Sequence, residues 1–223
     1  MKRLKVAIDG PSGAGKSTVA RSLAKRLGYA YIDTGAMYRA VALIAKLEAI
    51  AIDDETGLSR LASFLQITFS NQNDVIRVLC NGEDITEAIR APDISLLASD
   101  VSKRKGVREA LVRIQREMGQ KGGVVLEGRD IGTVVFPDAE VKFYLDAKTE
   151  ERAQRRRREL SEKGIEVDFP ETLAEVVRRD QNDMRRALSP LRKAEDAILI
   201  DSTDRSIEEV VEEMLRAVHS KGE

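Results

Sequence analysis

The residues with the most specific chemistry are Gly10-Pro11-Ser12-Gly13-Ala14-Gly15-Lys16-Ser17, which fit G-x-x-x-x-G-K-[ST] at every fixed position. An apolar stretch, Lys5–Ile8, leads into the run, and a helical pattern opens from Ser17. That setting gives the spacing its meaning. Glycines let backbone N–H groups turn inward around phosphates, and the helix N-terminus adds partial positive charge. Lys16 is placed to reach the β- and γ-phosphates, and the Ser17 hydroxyl suits Mg²⁺. Binding of a nucleoside triphosphate is the expectation. A guanine-reading N-K-x-D tetrapeptide does not occur, which argues against a GTPase. A motor ATPase would end an apolar strand in Asp-Glu, whereas Val124-Val125-Leu126 runs into Glu127-Gly128-Arg129-Asp130. The arginine there points to a second anion beside the triphosphate.

Transfer of a phosphoryl group to another phosphate requires two anions in line, so cations must offset their repulsion. Arginines sit at suitable loop and helix-end positions: Arg39, Arg108, Arg129, Arg179, Arg185 and Arg186. A denser cluster, Arg152, Arg155, Arg156, Arg157 and Arg158, wraps more than one turn of a helix. It reads either as a solvated face paired with Glu150, Glu151 and Glu159 or as a lid that closes over ATP. The acceptor phosphate is already anionic, so no protein nucleophile is required. This suits a chain whose one histidine, His219, lies in the tail.

The elements that must position these groups follow from hydrophobic pattern. Five short apolar runs read as buried parallel strands: Leu4–Ile8, Tyr29–Ile32, Val124–Leu126, Val141–Leu145 and Ile198–Ile200. Helical patterns cover Lys16–Leu27, Ala36–Leu47, Val107–Met118, Glu150–Lys163, Leu173–Ala187 and Ile207–Val218. Alternation of the two predicts an α/β doubly wound sheet. Between about residues 65 and 91 the rhythm breaks. Ile67–Phe69 and Val75–Leu79 read as strands joined by a polar turn, Ser70–Asp74, and Asn81-Gly82 gives a second turn signal. The choice there is a small antiparallel insertion or a solvent-exposed loop.

Bulk properties bound the function. The chain has 223 residues, is 42% hydrophobic and 34% charged, and has a net charge of −1. A near-neutral balance offers no long-range field to recruit a polyanion. The single cysteine, Cys80, excludes an internal disulfide, and one thiol cannot build a zinc site. The apolar run near the N-terminus is too short for a signal peptide, and no stretch has membrane-spanning length, so a cytoplasmic location is expected. One domain is expected over residues 1–220, with the insertion at about 65–91 and an Arg-rich lid at about 150–170.

Longer stretches carry a resemblance. Ile8–Ser17, Tyr31-Ile32-Asp33-Thr34-Gly35-Ala36-Met37-Tyr38-Arg39, Gly128-Arg129-Asp130-Ile131-Gly132-Thr133-Val134-Val135-Phe136-Pro137-Asp138-Ala139, Arg179-Asp180 with Asp183, Ala187–Leu191 and Ile200-Asp201-Ser202-Thr203 resemble the bacterial-type cytidylate kinase family. The resemblance spans essentially the whole chain. It implies a P-loop fold with a five-stranded parallel sheet, in which the β insertion enlarges the monophosphate-binding region. It implies the reaction of ATP with CMP or dCMP, assisted by Mg²⁺ at Ser17. Charge balance and hydropathy lead to the expectation that the protein binds neither nucleic acid nor membrane, and a monomer is expected. Thr34, Arg108 and Asp130 would face the cytosine edge. Arg39, Arg129 and Arg186 would hold the monophosphate, and Ser99, Arg179 and Asp183 the ribose hydroxyls. ATP would meet Gly10, Pro11, Ser12, Gly13, Ala14, Gly15, Lys16, Ser17 and Thr18, with Arg155 and Arg157 from the lid. Lys16, Arg129 and Arg186 would be the catalytic cations. One departure is Thr34, where some relatives have serine; the hydroxyl is kept. Arg179 and Asp183 are also spaced i,i+4 to pair with each other. Two rival readings are a kinase for another small acceptor, such as UMP or AMP, and a nucleotide-dependent module gripping nucleic acid. Low aromatic content, 4%, leaves the second without a stacking platform.

Overall fold

The computed structural model describes residues 3–72, 75–162 and 164–222. In chain order the elements are β1 (Lys5–Asp9), α1 (Lys16–Leu27), β2 (Ala30–Asp33), α2 (Thr34–Leu47), α3 (Glu55–Phe64), β3 (Ile67–Gln72), β4 (Val75–Cys80), β5 (Glu83–Asp84), α4 (Pro92–Val101), α5 (Lys105–Gly119), β6 (Val124–Gly128), β7 (Val141–Asp146), α6 (Thr149–Glu162), α7 (Phe169–Arg185), β8 (Ile198–Asp201) and α8 (Ile207–Gly222). They fall into two compact units, Met1–Tyr31 with Lys121–Glu223, and Ile32–Gln120.

The first unit is built on a five-stranded sheet of order β2-β6-β1-β7-β8, so the predicted parallel α/β architecture is present. Central β1 pairs in parallel with β6, from Lys5 opposite Val124 to Asp9 opposite Gly128, and with β7 on its other side. Strands covered on both faces must be apolar throughout. Accordingly Val6, Ala7, Ile8, Val125, Leu126, Phe143 and Leu145 are all buried. Helix α1 contributes Val19, Ala20, Leu23 and Ala24 to the same core, and α8 adds Val210, Val211, Met214, Leu215 and Val218. Both sets recur at the three- and four-residue spacing of a single helix face. The carboxyl ends of β1 and β6 therefore lie side by side, and there the phosphate loop and the Arg129–Asp130 segment leave the sheet. After β6 the chain makes a wide turn of π-helix, Ile131–Val135, closed by Phe136 N–H donating to the Ile131 carbonyl at 2.7 Å.

The second unit holds the antiparallel sheet β3-β4-β5 with α2 to α5. Asn81 and Gly82 both have positive φ, 51° and 87°, which is the two-residue turn that suits the twist of a hairpin. The insertion is thus a sheet rather than a loop. The predicted polar turn at Ser70–Asp74 differs in its first three residues. Ser70, Asn71 and Gln72 continue the β3–β4 ladder, with Gln72 opposite Val75, while Asn73 and Asp74 lie outside the described residues. Backbone pairing does not depend on apolar side chains, so composition misled there. Sequence pattern also left α3 and α4 unassigned. Asp54 caps α3 by accepting from Gly57 N–H at 2.9 Å, and Pro92 opens α4. Helix α7 starts earlier than predicted, at Phe169, because Asp168 caps it. It stops at Arg185, because Arg186 is extended. Lys163, the predicted last residue of α6, lies outside the described residues.

Candidate active site

In the first unit, Asp9 ends β1 and Gly10 opens the loop with φ of 152°. A Cβ at Gly10 would come within 2.0 Å of the Leu145 carbonyl oxygen, and one at Gly13 within 2.9 Å of the Arg152 carbonyl oxygen. Only glycine fits these positions, so the loop lies flush against β7 and α6. Lys16 folds back over the loop and donates to the Pro11 carbonyl at 2.6 Å. It is buried, and burial followed by the charge of Arg129 pushes its pKa down, while Glu127 and Asp183 work the other way. Ser17 and Thr18 are exposed at the helix start. Lys16 thus lies over a glycine-rich loop with the exposed Ser17 at its end, a form suited to phosphate.

Beside it, the predicted acceptor residues of this unit form one buried charged group. Arg129 Nε donates to Asp183 Oδ2 at 2.8 Å, and its Nη1 to the Gly128 carbonyl at 3.2 Å. Burial alone pushes the Asp183 carboxyl up, but Arg129, then Arg179 and Arg186, outweigh that and hold it below the usual carboxylate range. Burial likewise works against the charge on Arg129; Asp183 more than compensates, aided by Glu127 and Asp180. Arg186 reaches to 3.6 Å from Asp130, and its Nε donates to the Ser189 carbonyl at 2.6 Å. Arg129, Asp130, Arg179, Asp183 and Arg186 are thus gathered by the β6 end and by α7 with the residue after it.

The arginines of the expected lid region divide. Arg152 is buried and serves the framework. It donates to the Ala147 and Ser12 carbonyls and to Thr149 Oγ1, and pairs with Asp180 Oδ2 at 2.7 Å. Arg155 holds Glu151 and both the hydroxyl and the carbonyl of Ser202, whose hydroxyl lies 3.1 Å from the Ala14 carbonyl. Arg156 pairs with Glu159, and Arg157 is exposed.

In the second unit, Asp33 caps α2 by accepting from Ala36 N–H at 2.8 Å and binds Arg39 Nη2 at 2.9 Å. The same carboxylate therefore orients Arg39, whose Nε is buried without a hydrogen-bond partner. Thr34, the first residue of α2, is buried. Ser99 is half-buried on α4, and its carbonyl accepts from Ser102 Oγ at 2.8 Å. Arg108 donates to the Ser102 carbonyl at 3.3 Å and lies over the Tyr38 ring, 5.6 Å from its centroid. Thr34, Arg39, Ser99 and Arg108 thus sit on α2, α4 and α5 of this unit.

The family model described as "Cytidylate kinase" matches residues 6–220. A cytidylate kinase of Geobacter sp. (strain M21) is 58% identical over 216 residues, covering 97% of this chain and 93% of that protein. One of Bacillus subtilis (strain 168) is 49% identical over 220 residues, 99% of this chain and 98% of that protein. The chain belongs to the cytidylate kinase family. Among solved structures, TT1252 from Thermus thermophilus shares the fold with a TM-score of 0.50 at 18% identity, over 99% of this chain and 98% of that one.

Some groups that build the site escaped the sequence reading. Asp9, an acid at the end of an apolar strand just before the loop, was not singled out. Its carboxylate accepts from Ile131 and Gly132 N–H at 2.8 and 2.7 Å. Glu127, the only acid in β6, accepts from the Tyr31 hydroxyl and faces Lys16 and Arg129. Asp180 was visible beside Arg179, yet nothing in spacing linked it to Arg152. Among the described residues no helix is long and apolar enough to cross a membrane.

Proposed function

We propose that the chain transfers the γ-phosphoryl group of ATP to the phosphate of CMP or dCMP, giving ADP and CDP or dCDP. The observation that supports this most is the buried Arg129–Asp183 pair with Arg179, Arg186 and Asp130 around it, at the strand end beside the phosphate loop of a cytidylate kinase family member. A triphosphate alone would not call for this second set of cations.

Lys16 and the backbone donors of Gly10–Thr18 would hold the ATP phosphates, with Arg155 and Arg157 as further ATP contacts. Arg39, Arg129 and Arg186 would bind the acceptor phosphate through forked donors. Lys16, Arg129 and Arg186 offset the charge of the transferred group. Thr34, Arg108 and Asp130 would read cytosine, whose amine needs an acceptor and whose N3 and O2 need donors. Ser99, Arg179 and Asp183 would meet the ribose; Asp183 is held ionised by its arginines, so it offers an acceptor to a sugar hydroxyl. An oxygen of the acceptor phosphate, already anionic, attacks the γ-phosphorus, so no residue acts as general base. Among the described residues no cluster of three or more His, Cys, Asp or Glu could hold a metal. A lone exposed Ser17 hydroxyl fits Mg²⁺, which binds chiefly through substrate phosphates and water. Bound there with ATP, Mg²⁺ neutralises phosphate charge. We further read the protein as a cytoplasmic monomer that binds small nucleotides and not nucleic acid.

Base reading and phosphate holding separate experimentally. Asp130→Asn is expected to erode the preference for CMP over UMP, because uracil offers a carbonyl where cytosine offers an amine. Arg39→Met is expected to weaken all monophosphates about equally. The measurement is kcat/KM for CMP and UMP in the wild type and both variants. A parallel loss for both acceptors in Asp130→Asn removes Asp130 from the base-reading role.

A further inference from the structure

Asp9 occupies an unusual place. It is the last residue of β1, directly opposite Gly128 at the end of β6, and the next residue, Gly10, opens the phosphate loop. Its two carboxylate oxygens are spent on two consecutive backbone amides: Oδ1 accepts from Ile131 N–H at 2.8 Å and Oδ2 from Gly132 N–H at 2.7 Å. These amides begin the wide turn immediately after Arg129 and Asp130. One side chain therefore ties the strand end that launches the triphosphate loop to the segment that presents the acceptor cation and its neighbouring acid.

A buried carboxylate is a poor way to stabilise a fold. Asp9 is 4% exposed, and burial raises its pKa to about 6 even though both backbone hydrogen bonds favour the charged form. The groups facing it are Asp130 from the turn, which raises it further, and Lys16 from α1, which lowers it. Tyr144 on β7 also senses its charge, and Lys142 on β7 packs where a side chain at Gly132 would lie. A neutral acceptor would satisfy only one of the two amides without placing a donor against the other. A bidentate acceptor is the side chain that holds both.

We propose that Asp9 is a positioning residue for phosphoryl transfer, fixing the turn that carries Arg129 and Asp130 against the strand end that opens the phosphate loop. This rests on the reading that Arg129 and Asp130 face the acceptor nucleotide. A misplacement of a fraction of a bond length at Arg129 matters because in-line transfer depends on alignment. Both carboxylate oxygens of Asp9 are taken up by backbone amides. Its loss should therefore fall on the acceptor side of the kinetics and spare the binding of ATP.

The experiment compares the full-length wild type with Asp9→Asn, measuring kcat and KM for CMP and for ATP from about pH 5 to about pH 8. In Asp9→Asn, kcat/KM for CMP is expected to fall about 10- to 100-fold while KM for ATP stays within about threefold. The CMP phosphate itself ionises near pH 6, about as a phosphoserine does, so the wild-type acid limb alone decides nothing. That limb is common to both proteins and cancels in their ratio. The ratio of wild-type to variant kcat/KM is expected to shrink as pH falls through about 6, where the wild-type carboxylate also becomes protonated. Equal losses toward ATP and CMP, or a ratio that does not change with pH, overturn the proposal. A second readout needs neither a folded variant nor any substrate. In the ligand-free wild type, amide hydrogen exchange at Ile131 and Gly132 should lose protection below about pH 6 relative to Leu126 in β6. Unchanged protection there also overturns it. A wild type that phosphorylates a different monophosphate would instead revise the acceptor, and the exchange result would still judge Asp9.

Discussion

Truncating Asp180 to alanine removes the carboxylate that pairs with Arg152 at 2.7 Å, and the expected cost is about 3 kcal/mol of folding stability. The pair is well buried, with side chains 5% and 11% exposed. Breaking such a pair from one side costs about 3–5 kcal/mol, because a buried charge is left behind. Arg152 keeps three neutral acceptors, the Ala147 and Ser12 carbonyls and Thr149 Oγ1, which places the loss at the lower end. The second oxygen of Asp180 has no hydrogen-bond partner, so nothing is added on its account. With a urea m-value of about 2 kcal/mol/M, the unfolding midpoint should drop by about 1.5 M at unchanged m. Asp180→Asn keeps an acceptor for the guanidinium and should lose roughly half as much. Because Arg152 also holds the Ser12 carbonyl of the phosphate loop, KM for ATP should rise in step with the stability loss. A midpoint shift below about 0.3 M for the alanine variant would refute the reasoning, since it would mean the buried cation is indifferent to its counter-ion.

Lys16→Ala should reduce kcat by about two to three orders of magnitude, as loss of a transition-state donor does. Its melting temperature should be equal or higher, since burial already disfavours the cation; near-normal turnover would remove Lys16 from the phosphate site. Asp183→Ala should depress kcat/KM for both CMP and dCMP, because Arg129 loses its partner, and should also bring the two values together. An unchanged CMP-to-dCMP ratio takes Asp183 away from the 2′ position. The raised pKa of Asp9 has a stability consequence of defined sign. The folded protein holds that proton more tightly than the unfolded chain, so Asp9 contributes stability below the unfolded value of 3.8 and loses it as pH rises through about 6. A shift of about two units is worth about 3 kcal/mol, so the stability of Asp9→Asn relative to wild type should rise by up to that amount between about pH 4 and pH 7. Denaturation at several pH values checks it; a flat difference contradicts the shift.

Much of the site was legible because its parts are local. The phosphate loop is eight consecutive residues whose glycines and lysine have one joint use, and the structure gives them the predicted strand and helix. Asn81-Gly82 announced its hairpin for the same reason, as two residues with positive φ. Groups that act through distant partners were not legible. The amides bound by Asp9 lie 122 and 123 residues further on, and no periodicity connects them. Arg152 looked like one member of an arginine run until the fold placed it over Ser12 and against Asp180. Spacing suggested Arg179 as a partner of Asp183, and Arg179 does help hold its carboxyl low, but nothing in spacing linked Asp183 to Arg129, 54 residues earlier, which donates to it. Helix α3 was missed because Gly57 and exposed polar residues diluted its apolar face of Leu58, Leu61 and Ala62, and its cap at Asp54 went unread.

The central claim is that CMP is the phosphate acceptor, and the most direct measurement is product formation from ATP across a panel of nucleoside monophosphates. Wild-type protein with ATP and Mg²⁺ is supplied in turn with CMP, dCMP, UMP, AMP and GMP. ADP release and the nucleoside diphosphate are quantified together. CDP and dCDP should form with a kcat/KM at least about tenfold above that of any other product, because on the proposed reading a base edge of the wrong polarity would oppose Asp130 or Arg108, each of them buried. Equal rates for UMP and CMP, or ADP release without a diphosphate product from CMP, would contradict the account.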